Sequence, residues 1–346
     1  MNPASYWLPQ GARVGVYLAQ YLLSARLSRP IIRRRGRPRG PRRASPTLNE
    51  LLGDLRRLLL RDWRNIRDGL YWPPPGLLDD PRALAINTLR YFDDLPEVND
   101  RRRRDAFEEV RDREAGIEGR RLPDYYLRNF HFQTDGYLSE HSARLYDHQV
   151  EVLFLGGAEA MRRQALVPLG AWLRRRRVRA PRMADLGCGT GRFLGAVRHN
   201  FPALATIGVD LSRAYLAEAR RYLAPWPGAM LIEGQAEALP VADASLDLIT
   251  AVYLLHEVPA DVRAGIADEC ARTLRPGGRL ILIDSLQFGD RSAYDVLLET
   301  FPDGFHEPYY TDYAQSDLTR LMADRGLSRV SSELAFLSKV MVFDKR

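Results

Sequence analysis

MADLGCGTGRF, Met183 to Phe193, is an apolar run that ends in Gly187, Gly189 and Gly191 and then enters a helical pattern. Strand, glycine-rich turn and helix in that order form the phosphate- or nucleotide-facing corner of an α/β sheet. The glycines stand at G-x-G-x-G spacing. A dinucleotide loop needs G-x-G-x-x-G, and the residue after Gly191 is Arg192, so the pattern disfavours a nicotinamide cofactor. Without side chains, these positions let a ligand press against the backbone. Asp185, near the carboxyl end of the apolar run, puts an anion beside that ligand, which suits one carrying a positive amino group. Taken alone, the same triplet also fits a tight turn or another nucleotide loop.

The surrounding chain narrows the choice. From Arg182 onward, short β-rich runs (MADL, ATIGVD, MLIEG, LDLITAVYLL, RLILID) alternate with helical segments. That alternation predicts a doubly wound α/β fold. SRVSSELAF and SKVMVF lie so close together that a hairpin must join them, which predicts an antiparallel final strand. Asp210 ends TIGVD, where the second strand of such a fold places a carboxylate for two ribose hydroxyls. Further on, EGQAEALP supplies Gln235 and Glu237, and a side-chain amide there can bond an adenine edge. Together these positions describe an adenosine linked to an amino acid.

DLGCGTG, GVDLS, EGQAEALP and LRPGGRLILID resemble class I S-adenosylmethionine-dependent methyltransferases, most closely the quinone-biosynthesis and small-molecule branch. The resemblance spans 145–346. It implies a Rossmann-like, mostly parallel seven-stranded sheet with S-adenosylmethionine as cofactor. Carried onto matching positions, it makes Gly187, Gly189 and Gly191 the loop around the methionine part, Asp185 the amino-group partner and Asp210 the ribose ligand. Leu211, Gln235 and Ala236 then flank the nucleoside. Many members carry Asp where this chain has Gln235.

Methyl transfer needs an acceptor in line with the methyl and shielded from water. A phenol, enol or activated carbon also needs a base within reach. VYLLHEVP ends the fourth strand and offers His256 and Glu257, although a histidine there can equally bond a backbone carbonyl. The Asn- or Asp-Pro-Pro-aromatic string often found there in enzymes acting on base or glutamine amines is absent. FPDGFHEPYYTDY adds His306 and Glu307 as further acid-base candidates, amid aromatics that suit either a lid over a flat acceptor or an extra packed helix. NFHFQTDGYLSEHSARLYDHQVEVLF holds His131, His141 and His148, and the resemblance implies that this stretch covers the cofactor. His141 and His148 are seven apart with no carboxylate set to complete a site, so no metal is expected.

Of the chain's 346 residues, 51 are basic and 44 acidic, but residues 1–49 hold ten arginines and no acid. The remainder carries 41 basic against 44 acidic side chains. The predicted organisation is a basic tail with a short amphipathic helix (1–46), a helical region (47–144) and the methyltransferase domain (145–346). Within the helical region, Thr47 and Glu50 have capping-box spacing, and Asp80-Pro81 is a second helix start that leads toward Asp94. A third helix is expected over Arg101–Glu114, and 31–46 reads as a solvated linker. No apolar stretch reaches the roughly 20 residues of a spanning helix, and two cysteines build neither a disulfide scaffold nor a zinc cluster. A cytoplasmic protein is expected. Val14, Tyr17, Leu18, Tyr21, Leu22 and Ala25 form an apolar stripe followed by arginines, which predicts contact with an anionic membrane surface through residues 6–43. The alternative is that this helix packs on the protein's own helical region. The leading reading is methylation of a small, lipophilic aromatic or isoprenoid-like acceptor. Two others compete with it: an RNA methyltransferase using the arginine tail, and a non-catalytic assembly protein.

Overall fold

The computed structural model describes residues 2–32, 45–77, 80–114 and 122–346. Most of the predicted arginine-rich linker lies outside them. Seven strands form one sheet: β1 (Arg182–Leu186), β2 (Ala205–Asp210), β3 (Ala229–Glu233), β4 (Leu246–Val252), β5 (Leu274–Ser285), β6 (Leu327–Ala335) and β7 (Ser338–Lys345). Their order is β3-β2-β1-β4-β5-β7-β6. The first five are mutually parallel, and β7 runs antiparallel to both β5 and β6. Strand order reverses direction between β1 and β4, so their carboxyl ends diverge into a crevice where ligands bind in this class of sheet. β4 and most of β5 are buried throughout, as central strands covered on both faces must be.

Thirteen helices flank this sheet among the described residues. Seven precede it: α1 (Pro3–Ile32), α2 (Leu48–Arg67), α3 (Pro81–Arg104), α4 (Glu109–Glu114), α5 (Glu140–Leu153), α6 (Ala158–Arg163) and α7 (Leu166–Arg176). α8 (Arg192–Asn200), α9 (Arg213–Leu223) and α10 (Ala260–Thr273) are crossovers, and α11 (Asp295–Phe305), α12 (Tyr310–Gln315) and α13 (Leu318–Ala323) lie between β5 and β6. The capping box at Thr47 is complete: Thr47 Oγ1 accepts from Glu50 N–H, and Glu50 accepts from Thr47 N–H. Asp80 likewise caps α3 through Ala83 N–H. α3 outruns the expected end near Asp94. It continues through Pro96 because Leu95, Val98 and Asn99 keep a buried face on both sides of the proline. It stops at Asp105, in the left-handed region at φ 54°, so the helix expected over Arg101–Glu114 is divided between the end of α3 and the separate α4.

The amino-terminal helices are joined by one buried carboxylate. Asp62, with no exposed surface, accepts from Arg163 Nε at 2.9 Å and Nη2 at 2.7 Å, and from the hydroxyls of Tyr6 and Tyr71 at 2.7 Å each. A buried charge is tolerable only when paired and bonded in this way. Tyr6 lies on α1, Asp62 on α2 and Arg163 on α6, so the contact draws three elements together. α1 packs on α3 and α5. Its Gln20 Oε1 accepts from His148 Nε2 at 2.7 Å, and Arg13 pairs with Glu151 at 2.9 Å. Of the predicted apolar stripe, Val14, Tyr17, Leu18, Tyr21 and Ala25 are buried or half-buried against these neighbours, and Leu22 is not. Leu8, Val16, Leu22, Leu23 and Leu27 face outward.

Candidate active site

β1 ends at Leu186, and the chain turns at once through Gly187, Gly189 and Gly191, all left-handed at φ 62°, 54° and 79°. Glycine alone occupies this region without penalty. Their surroundings differ. A Cβ on Gly189 would meet open space, one on Gly187 would strike Leu254, and one on Gly191 would press into Leu223 and Ala219 of α9. Gly189 therefore faces the cleft, while Gly191 lets α8 and α9 pack closely.

Asp210, at the end of β2, fastens the loop. Its Oδ2 accepts from Gly189 N–H and its Oδ1 from Ser212 N–H, both at 2.8 Å. A carboxylate has about four lone-pair sites, so acceptor capacity remains for a ligand. The loop is tied on its far side as well: Thr190 Oγ1 and Arg192 Nε each donate to Asp147 of α5 at 2.8 Å. The resulting cleft is lined by Gly187, Gly189, Asp210, Leu211, Ala236 and Glu237, with Tyr125, Tyr126, Phe130 and Tyr137 opposite. Asp185, Gly191 and Gln235 do not line it. Asp185 is buried beneath the loop and accepts from Thr250 Oγ1 at 2.5 Å.

The aromatic wall belongs to 124–138, a run of short turns that the sequence pattern does not resolve. Tyr125 donates to Glu237 at 2.5 Å, Tyr137 donates to Glu257 at 2.7 Å, and Ser212 Oγ donates to the Tyr137 carbonyl at 2.6 Å. Tyr125 and Tyr126 escaped sequence reasoning, although the YY pair in LPDYYLRNF was an available signal.

Beyond Tyr146, Tyr253 and Glu257, which border both spaces, lies a second chamber of about 310 Å³. Its walls include Tyr21, Leu153, Leu297, Phe301, Phe305 and Phe336, with His131 and His256 among the few polar groups. His256 is buried with Nδ1 2.5 Å from Asp284 Oδ1. Asp284, ending the ILID run of β5, also accepts from Leu255 N–H and Ser285 N–H at 2.7 Å each, which fixes its orientation. This partner too escaped sequence reasoning. Burial opposes the charged imidazolium, but the Asp284 carboxylate outweighs it and raises the His256 pKa above the ordinary value. Burial likewise works against an ionised Glu257, but hydrogen bonding to His131 and the neighbouring histidine charges prevail and hold its pKa below normal. Glu307 is pushed well up by burial and by the Glu257 charge. His306 stands apart: its ring stacks on Phe107 with centroids 4.3 Å apart, and it is Glu307 that approaches His131, with Nε2 to Oε1 at 3.1 Å.

Burial raises the Asp185 carboxyl to about 7, against the opposing Thr250 hydrogen bond and with help from Asp210. A carboxyl whose folded pKa exceeds its unfolded value contributes stability fully at low pH and loses it as pH rises through the folded value. The stability advantage of Asp185→Asn over the parent should therefore grow by roughly 1.4 kcal/mol per pH unit between about pH 4 and 7 and then level off. Urea unfolding of both proteins, ligand-free, across that range checks this, and a gap independent of pH overturns it.

Residues 183–278 match a family described as the methyltransferase domain. The chain is 38% identical over 124 residues to a malonyl-[acyl-carrier protein] O-methyltransferase of Methylococcus capsulatus, covering 36% of this chain and 44% of the relative. It is 34% identical over 142 residues to a demethylmenaquinone methyltransferase of Beutenbergia cavernae, covering 41% and 54%. The chain thus spans about half the length of these curated relatives. A structural likeness, at 17% identity and a TM-score of 0.43, is to magnesium protoporphyrin IX methyltransferase from Synechocystis with bound SAH, covering 56% of this chain and 87% of that one. Over 183–278 the chain therefore carries a methyltransferase domain, built on the seven-stranded sheet described above.

Proposed function

We propose that this protein transfers a methyl group from S-adenosylmethionine to a small lipophilic acceptor, aromatic or isoprenoid-like, held in the second chamber. The observation that carries the proposal is the junction of the two spaces: an apolar chamber of about 310 Å³ meets the glycine-loop cleft at Tyr146, Tyr253 and Glu257. Pockets of several hundred Å³ with few polar groups suit flat, apolar ligands.

The cleft residues fit the cofactor. Gly189 offers open space, Asp210 retains acceptor capacity for the ribose hydroxyls, and Leu211 and Ala236 border the nucleoside. When bound, the cofactor supplies an electrophilic methyl on a sulfonium. The remaining cofactor assignments act from a distance: Asp185 as a buried carboxyl beneath the loop, Gly191 through the packing of α8 on α9, and Gln235 from beside the lining residues Gly234 and Ala236. The aromatic wall excludes water. His256 is the base that would take a proton from an acceptor hydroxyl or acidic carbon, because Asp284 orients the ring and stabilises the cation that forms. Glu257 borders both spaces, whereas His306, stacked on Phe107, has no comparable access.

Loss of the hydrogen bonds from both ribose hydroxyls in Asp210→Ala should weaken S-adenosylmethionine binding by roughly 1.5–3 kcal/mol. Calorimetry checks this, and wild-type affinity in the variant removes the ribose assignment. With methyl-labelled cofactor and a lipid extract as the acceptor source, label should enter the organic phase. His256→Gln should slow that transfer by about 10² to 10⁴-fold with cofactor affinity nearly unchanged. Label recovered only in RNA or protein overturns the acceptor class, and full turnover in the variant overturns the base.

The amino-terminal helix supports a peripheral membrane site for such an acceptor, on a face that shares only Leu22 with the stripe read from sequence. Leu8, Leu22, Leu23 and Leu27 of α1 are exposed by 75, 48, 48 and 52%, while Tyr21 of the same helix lines the chamber. Each nearby arginine adds about 1 kcal/mol at an anionic surface. Full-length protein should sediment with anionic liposomes at low salt, and a chain beginning at Thr47 should not. If both stay equally in the supernatant, the membrane contact is refuted.

A further inference from the structure

Three side chains from distant segments converge where the two spaces meet. His131 comes from the turn Phe130–Phe132, Glu257 from the turn after β4, and Glu307 from just beyond α11. His131 Nε2 is 3.1 Å from Glu307 Oε1 and 3.7 Å from Glu257 Oε1, and the three donor atoms lie within 4.8 Å of one another. Ligand atoms bound to a small divalent cation at about 2.0–2.2 Å stand roughly 3–3.5 Å apart around it. The His131–Glu307 contact already has that spacing, and Glu257 needs only a small shift to reach it.

The burial of these groups points independently to a ligand. The Glu307 side chain has no exposed surface and that of Glu257 only 13%. The Oε2 atoms of both are buried with no hydrogen-bond partner. Among the described residues, no arginine or lysine pairs with either glutamate: Arg102 is spent on Asn99 and the Gly304 carbonyl, and Arg263 on Asp312 and two backbone carbonyls. Two neighbouring buried carboxyls with oxygens left unpartnered are costly to keep, and a divalent ion satisfies both at once. Supporting contacts are present as well. Tyr137 donates to Glu257 Oε1, and the His131 ring is packed by Tyr137 and Phe305. Partners of this kind hold ligand side chains in place around metals.

We propose that His131, Glu257 and Glu307 bind one divalent transition-metal cation at the junction of the cofactor cleft and the apolar chamber. One imidazole and two carboxylates are a donor set for zinc, manganese or ferrous iron. Three protein ligands leave coordination positions open. His131 and Glu257 line the chamber, so those positions face an acceptor bearing an oxygen, such as a phenol or enol. That last role rests on the methyl-transfer reading, whereas the ion site itself does not.

The probe is cobalt(II), whose visible ligand-field bands report nitrogen and carboxylate coordination, added to chelator-treated full-length protein. One cobalt per chain is expected, displaced by zinc. Glu307→Gln and His131→Gln should each weaken cobalt binding by roughly 100-fold or more, since loss of even a supporting partner costs 10–100-fold. Both replacements keep side-chain bulk, and circular dichroism establishes that they fold. If either variant does not, the stoichiometry and spectrum of the wild type decide alone. No bands in the wild type, or bands unchanged in folded variants, overturn the site. Calorimetry of S-adenosylmethionine with the metal-free wild type runs in parallel. Cofactor binding without cobalt binding overturns the ion site alone, and cobalt binding without cofactor binding overturns the methyltransferase reading alone.

Discussion

The hydrogen bond from Gly189 N–H to Asp210 Oδ2 is the contact on which the cofactor side of this molecule depends. It joins the loop leaving β1 to the end of β2. The backbone extends the join in both directions: Cys188 N–H donates to the Val209 carbonyl at 3.0 Å, and Gly234 N–H donates to the Asp210 carbonyl at 3.0 Å. Three parallel strands are thereby held at one level where their carboxyl ends open. Because the bond uses a backbone donor in a left-handed glycine, the loop is shaped before any ligand arrives, and ordering it costs nothing at the moment of binding.

A second constraint is electrostatic. The region between cleft and chamber holds Glu257, Glu307 and Asp284, all largely buried, with His256 and His131 as the imidazole partners within reach. Arginine is plentiful elsewhere. It serves as a structural clamp where carboxylates are to stay ionised and fully bonded, as with Arg163 on Asp62 or Arg279 on Asp344. Histidine in place of arginine at the junction leaves protons and ligands exchangeable there.

Local order was readable in the sequence where local rules act. The strand–glycine–helix corner at 183–193, the capping box at Thr47, the Asp80 cap and the closing hairpin all follow from backbone chemistry within a few residues. Long-range pairings were not readable. That Asp284 would meet His256 depends on β5 lying beside β4, and that Glu307 rather than His306 would turn inward depends on the left-handed residue at φ 50° ending α11. α1 illustrates a different obstacle. Apolar residues occur on both of its faces, so periodicity does not say which face the protein covers. Buried polar contacts through Tyr6 and Gln20 decide it. The reach of α3 beyond Asp94 was not readable either, because it rests on tertiary burial on both sides of Pro96.

The two spaces draw on different parts of the chain. Most of the cleft comes from the stretch 183–278 that matches the methyltransferase domain, but of the residues lining the chamber only Tyr253, His256 and Glu257 fall within that stretch. The rest are contributed by α1, α2, α5, the 130–132 turn, α11, α12 and the ends of β5 and β6. Likeness to relatives over the shared stretch therefore covers most of the cleft and almost none of the chamber. On the proposed methyl-transfer reading, what the chamber admits is set by the flanking helices and not by the stretch shared with relatives, so the match over 183–278 says little about substrate.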